Sequence, residues 1–186
     1  ICLLSYNTAP EKLDGVYSTD FSTDDVFRSY TAPSGKASIK YSDESGNVAI
    51  TPAAANWYAT LNFPFDWDLN GIQTITMDIS AATAGSVNIG LYGSDMEVWT
   101  KAVDVNTDVQ TVTIGINELV KQGNPQTDGK LDAALSGIYF GAATADTGSI
   151  TIDNVKIVKL ATPVYTANTY PHKDMGEESY IDIDTT

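Results

Sequence analysis

The sequence predicts an all-β protein, an antiparallel β-sandwich with one or two short helical turns, and three observations lead there. Strand-length runs with apolar residues at every second position recur along the 186 residues, and clusters of Gly, Pro, Asn, Asp or Ser separate most of them. Only two stretches look helical, Ile116–Gln122 with Asn117 placed to cap it and the short Leu131–Leu135, and neither exceeds two turns. A hydrophobic fraction of 42% supports one sizeable core. Many short strands without intervening helices pack as two sheets face to face.

The expected strands, in chain order, are Lys36–Tyr41, Asn47–Ile50, Trp57–Phe63, Gln73–Ile79, Val87–Tyr92, Val98–Val105, Gln110–Ile114, Gly137–Phe140 and Ser149–Val158. The first follows the turn residues Pro33–Gly35, and Ser42–Gly46 divides it from the second. Trp57–Phe63 turns Trp57, Ala59, Leu61 and Phe63 inward and leaves Tyr58, Thr60 and Asn62 on its other side. In Gln73–Ile79 the apolar set is Ile75, Met77 and Ile79, with Asp78 opposite. Val87, Ile89 and Leu91 form the core face of the next strand, opposite Asn88, Gly90 and Tyr92. Val98–Val105 groups Glu97, Trp99 and Lys101 on one side, and Gly137–Phe140 buries Ile138 and Phe140 while Tyr139 points outward. The loop "FPFDWDLNG" carries Trp67, placed either to flank a groove or to plug the core.

The last strand has a fault. In "GSITIDNVKIV" Ile150 and Ile152 share a face, Asp153 and Asn154 intervene, and Val155 and Ile157 resume the alternation one residue out of register. After Val158 the texture changes to Pro163, Pro171 and the acid-rich Glu177–Asp184. The organisation expected is an N-terminal extension over 1–15, a sandwich over 16–160, and a linker or tail over 161–186. The alternative for the tail is that Val164–Thr166 and Tyr180–Ile183 add edge strands.

Charge narrows the partners. Against 24 acidic residues stand 10 basic ones, Arg28 being the only arginine, for a formal net charge of −14. Nucleic acid and anionic membrane surfaces are therefore poor partners, whereas neutral or cationic ligands or a divalent cation suit the field. No run approaches the roughly 18 apolar residues of a membrane span. One cysteine, Cys2, allows no internal disulfide. Abundant Thr, Ser, Asn, Asp, Gly and Tyr, with almost no Cys or Arg, is a habit of secreted β-domains and points to an extracellular or cell-surface setting. Ile1–Leu4 is too short to be identified as the stump of a processed signal.

If the strands share one sheet, its outer face carries Tyr58, Tyr92, Tyr139 and Trp99, with Asn62, Asn88 and Thr60 among them. Rings interspersed with hydrogen-bonding groups suit a sugar chain, whose apolar C–H faces stack on aromatics and whose hydroxyls need paired donors and acceptors. The plain alternative for each tyrosine is an ordinary cross-strand pair.

The pattern G-x-I-x-I-D-N-V-x-I, preceded by "LSGIYFG" and "LNGIQTITMDIS", resembles the jelly-roll carbohydrate-binding modules of plant-cell-wall-degrading enzymes, such as family 11 and its structural relatives. The similarity runs from Val16 to Val158 and is strongest over Asn70–Ile79 and Ser136–Val158. The resemblance implies a jelly roll and a non-catalytic, monomeric module that binds a soluble β-glycan (β-glucan, xyloglucan or mannan) and targets a linked glycoside hydrolase, cellulases included, to plant polysaccharide. On that reading Tyr58, Tyr92, Tyr139 and Trp99 stack on the glycan while Asn62, Asn88, Asp78, Glu97 and Lys101 orient its hydroxyls. It also implies a structural calcium. Asp153 matches the aspartate of the family's last-strand motif, whereas Ser22 follows Phe21 where a first-strand glutamate is expected, and Asp20, Asp24 or Asp25 could supply the missing oxygen. The implied metal set is Asp20, Asp25 and Asp153. Without a metal, Asp153 and Asn154 mark a bulge whose side chains cap backbone groups.

Glycan cleavage would need two carboxyl groups flanking the bond. Asp95 and Glu97 alternate on one side of a strand, with Asp78 as a conceivable partner, but no facing pair is evident. The only histidine, His172, lies in the tail, and phosphate-binding and zinc spacings are absent. A reading of a different class is an adhesive or structural sandwich that binds a protein partner.

Overall fold

Alternation dictates the framework: each of the nine expected runs is a strand in the computed structural model, which describes residues 16–22, 27, 29–42, 44–67, 72–93, 97–122 and 135–159. In chain order the strands are β1 (Val16–Thr19), β2 (Ser29–Thr31), β3 (Ala37–Ser42), β4 (Asn47–Pro52), β5 (Trp57–Trp67), β6 (Ile72–Ala81), β7 (Gly85–Gly93), β8 (Val98–Val105), β9 (Gln110–Gly115), β10 (Val120–Lys121), β11 (Leu135–Ala142) and β12 (Ile150–Lys159). The short β1, β2 and β10 are additions to the expected set. The helical expectation at Ile116–Gln122 shrinks to a 3-10 turn over Ile116–Glu118, because Val120 and Lys121 pair with β8 instead. Of the other, residues 131–134 lie outside the described residues and Leu135 opens β11. Trp67, expected on a loop, ends β5 opposite Leu135. The extension 1–15, the tail from residue 160 with its two conceivable edge strands, Cys2 and His172 also lie outside the described residues.

Two sheets form a β-sandwich. One has the order β3-β4-β12-β6-β9, with β1 also on β12; the other has the order β10-β8-β7-β11-β5-β2. Their ladders are antiparallel throughout. Between them lies the core: Trp57, Ala59, Leu61 and Phe63 from β5, Val87, Ile89 and Leu91 from β7, Ile138 and Phe140 from β11, and Ile75, Met77 and Ile79 from β6 are all buried. Each large apolar side chain removed from water contributes about 1.5–3 kcal/mol. Burial of Trp57 strands no polar group, since its Nε1–H donates to the Thr144 carbonyl at 2.8 Å.

The fault in the last strand is a β-bulge. Asp153 faces Asp78 and Lys156 faces Thr76, so β12 spends one more residue than β6 over the same interval. Asn154 takes the left-handed conformation (φ 48°), which asparagine tolerates better than most residues. Its N–H donates to Asp153 Oδ1 at 2.6 Å and its Nδ2 to Asp78 Oδ2 at 2.8 Å. The extra residue returns Val155 and Ile157 to the core face already used by Ile150 and Ile152. It also marks a change of partner: β12 pairs with β4 over Ile150–Ile152 and with β1 over Val155–Val158.

Candidate functional site

The outer face of the β10-β8-β7-β11-β5-β2 sheet is built in rows that cross the strands. Antiparallel register aligns Val98, Tyr92, Gly137, Asn62 and Ser29 in one row, and Thr100, Gly90, Tyr139, Thr60 and Thr31 in the next. A third carries Ala102, Asn88, Gly141 and Tyr58. Because residues directly opposite one another project to the same side, this face gathers three tyrosines from three neighbouring strands.

Glycine gives those rings their seats. A Cβ on Gly137 would stand 2.7 Å from Tyr92 Cε1, and one on Gly141 would stand 2.7 Å from the Tyr139 hydroxyl and 3.0 Å from its Cε1. Tyr92 therefore packs across Gly137 and Tyr139 across Gly141, each in space that any other residue would fill. The Tyr139 ring runs nearly parallel to that of Tyr58, at 14° with centroids 5.9 Å apart. Tyr58 is 43% exposed, so its ring is open to a ligand. Burial, and secondarily the neighbouring Tyr58 phenol, raise the Tyr139 hydroxyl above the ordinary phenol range, so it stays a neutral donor and acceptor.

These side chains line an open groove of 540 Å³ that crosses five strands, from Ser29 and Thr31 on β2, over Tyr58, Thr60 and Asn62, past Tyr139 and Tyr92, to Val98 on β8. Four strand spacings make it about 19 Å long. Among the described residues its lining is aromatic, hydroxylic and amide, with Val98 at one end and no carboxylate or amine.

Tyr58, Tyr92, Tyr139 and Asn62, with Thr60, are thus brought together as the alternation predicts. Asn62 is buried and already engaged: its Nδ2 donates to Ser29 Oγ and Thr31 Oγ1, both at 2.9 Å, and its Oδ1 accepts from the Tyr92 hydroxyl. Asn88 projects from the same face, opposite Gly141 and beside the groove.

Four expected groove residues lie elsewhere. Trp99 is paired with buried Leu91 and Lys101 with buried Ile89, so both project to the inner side of the sheet. There the Trp99 Nε1–H donates to Glu97 Oε2 at 3.0 Å, Glu97 Oε1 pairs with Lys121 at 3.0 Å, and Lys101 pairs with Glu118 at 2.5 Å. Alternation groups Glu97, Trp99 and Lys101 correctly but does not say which side meets the core. Near the rim of a sandwich the inner side can carry ion pairs that reach solvent or seal the edge. Asp78 sits on the outer face of the opposite sheet, accepting from Thr111 Oγ1 at 2.6 Å and from Asn154 Nδ2. Those two bonds, in that order, hold its carboxyl below the usual range. Asp95, the alternating neighbour of Glu97, lies outside the described residues.

Of the implied calcium set, Asp20 and Asp153 are described and Asp25 is not; among the described residues no group of three or more His, Cys, Asp or Glu side chains is placed to hold a metal ion. Asp20 Oδ1 accepts from the Ser22 N–H at 3.0 Å, and bonds from Ser22 hold its carboxyl below the usual range. Asp153 Oδ1 accepts from the Asn154 N–H in the bulge. Asp24 and Asp25 lie outside the described residues.

The sequence reading passed over Ser29, Thr31, Val98 and the seats Gly137 and Gly141. The glycines carried a signal, since "GIYFG" places Gly137, Tyr139 and Gly141 on one face at period two.

No family model matches the sequence, and no curated protein does. Solved structures do match in fold. The family 11 carbohydrate-binding module of a cellulosomal cellulase from Clostridium thermocellum superposes with a TM-score of 0.61 at 17% identity, covering 80% of this chain and 96% of that one. A family 11 module from the same organism, in complex with a β-1,3-1,4-mixed-linked tetrasaccharide, gives 0.62 at 18% identity, covering 79% and 97%. A family 29 carbohydrate-binding module in complex with mannohexaose gives 0.54 at 14% identity, covering 76% and 89%. The chain therefore has the jelly-roll β-sandwich fold of these modules, as the resemblance in its sequence implied.

Proposed function

We propose that this chain is a non-catalytic module that binds a soluble, neutral β-glycan chain in the tyrosine groove. One observation carries the reading: Tyr58, Tyr92 and Tyr139 stand together on one outer face, two of them seated on glycines, in a groove lined by hydroxyl and amide groups. Pyranose rings offer apolar C–H faces to the tyrosines, and their hydroxyls find partners in Ser29, Thr31 and Thr60. A tetrasaccharide and mannohexaose are bound by structurally similar modules, which favours β-glucan or mannan over other polymers. Among the described residues the groove lining holds no carboxyl pair of the kind that glycoside hydrolysis requires, which favours binding without cleavage.

Affinity on this reading is modest, because each stacked sugar gives up well-solvated hydroxyls. Its use is to hold a linked polysaccharide hydrolase near its polymer by raising the local concentration, in a secreted multi-domain protein where the module itself is monomeric. Affinity gel electrophoresis tests the proposal against β-glucan, xyloglucan, mannan and xylan, with Tyr139→Ala and Tyr92→Ala alongside. Retardation by one polymer that both variants lose is the expected result. A folded protein that no polymer retards would overturn it and favour an adhesive sandwich with a protein partner.

A further inference from the structure

We infer that Asn62 is a positioning residue of the groove: its buried amide fixes the Tyr92 ring and the β2 rim at once, and it does not read glycan hydroxyls itself. The inference takes the glycan groove as its premise. A primary amide offers two N–H donors and one carbonyl, and here all three groups are used, by Ser29, Thr31 and Tyr92. At 6% exposure little of Asn62 faces the groove.

The arrangement is a bridge across a strand. Tyr92 belongs to β7 and Asn62 to β5, and Gly137 of β11 lies between them in the same row. The phenol reaches Asn62 over the place where Gly137 has no side chain. Held at its Cα by the ladder and at its hydroxyl by the amide, the ring keeps one orientation before any sugar arrives. The same amide holds both groove-facing hydroxyls of β2, a three-residue strand that among the described residues pairs with β5 alone. One side chain thus orders a stacking platform and the hydroxyl rim beside it, which lowers the entropy lost on binding.

Tyr92→Phe, Asn62→Ala, Asn62→Asp and the Tyr92→Phe/Asn62→Ala pair test this with two readouts. The first needs no ligand. The Tyr92 ring lies against Gly137, so the Gly137 Hα resonances carry its ring-current shift. Asn62→Ala and Tyr92→Phe are expected to shrink that shift; Asn62→Asp is expected to keep it, because a carboxylate accepts from the Tyr92, Ser29 and Thr31 hydroxyls alike. The second is affinity for whichever polymer of the panel the wild type binds. Asn62→Ala is expected to weaken it about ten-fold, the scale of one unsatisfied buried hydrogen-bonding group. Tyr92→Phe should weaken it comparably, and the pair little more than either alone.

Wild-type Gly137 shifts and affinity in Asn62→Ala, or additive losses in the pair, would overturn the inference. If Asn62→Ala does not fold, Tyr92→Phe removes the same bond while keeping the ring, and unchanged Gly137 shifts there refute it equally. A wild type that binds no glycan defeats the functional reading alone, since the ligand-free shifts still decide what Asn62 does.

Discussion

Replacing Gly137 with alanine tests the glycine seat directly. The added Cβ would stand 2.3 Å from the Leu61 carbonyl oxygen and 2.7 Å from Tyr92 Cε1. The first contact lies more than about 1 Å inside van der Waals separation, and its partner is main chain. Leu61 has no room to retreat, because its side chain is fully buried and its strand is paired with both β11 and β2. The cost therefore belongs at the upper end of the about 1–3 kcal/mol typical of overpacking, which for a chain of this size lowers Tm by about 5–10 °C. Binding should fall further than stability does, because the second contact lifts Tyr92 off its seat. Thermal melts and affinity gels on Gly137→Ala, with Gly85→Ala as reference, measure both. At Gly85 the close contact is a single Thr147 methyl at 2.7 Å, a side-chain atom rather than main chain. A Gly137→Ala protein that melts within about 1 °C of wild type and is retarded as wild type is would refute the placement of the ring and the reasoning built on it.

Other expectations follow from charge and hydrogen bonding. Lys121→Met removes the cation paired with buried Glu97 and should cost toward the lower end of the about 3–5 kcal/mol of a broken buried pair, whereas Lys101→Met removes an exposed pair and should cost far less; chemical denaturation of both variants checks the order. Asp78 has a folded-state pKa below its unfolded value, so its contribution to stability is present above the unfolded pKa and fades as pH falls through the folded one. The Tm gap between wild type and Asp78→Ala should therefore hold at neutral pH and close below about pH 4, and a gap that widens in acid would contradict the assignment. With no carboxylate or amine among the described residues of its lining and the Tyr139 phenol raised, glycan affinity should be flat from about pH 5 to about 8 in calorimetric titrations.

What the sequence made legible follows the reach of a period-two pattern. Long strands such as β6 and β12 declare themselves because many alternating residues must be buried together. By contrast, β2 has three residues and β10 two, too few to show a period, and each is a strand because a neighbour offers it a ladder. The pattern also gives a side but not a destination. It put Asp78 correctly on the outward side of β6 without telling which sheet holds β6, and it grouped Trp99 with Glu97 and Lys101 without telling that this side turns inward. The three tyrosines were legible because core residues alternate with them on long central strands. Ser29, Thr31 and Val98 join them only through register between strands distant in the chain.

The change of partner along β12 has a mechanical consequence. Val16 sits opposite Val158, so the first and last strands described here end side by side on the sheet that does not carry the groove. Tethers attached at those ends would leave from one corner, clear of a polymer lying on the far face. Tension drawn between them would meet the β1–β12 ladder end-on and part its hydrogen bonds one pair after another from Val16 inward, as a zip opens. Tension from a bound polymer would instead enter through the central strands of the other sheet, where several ladders share it.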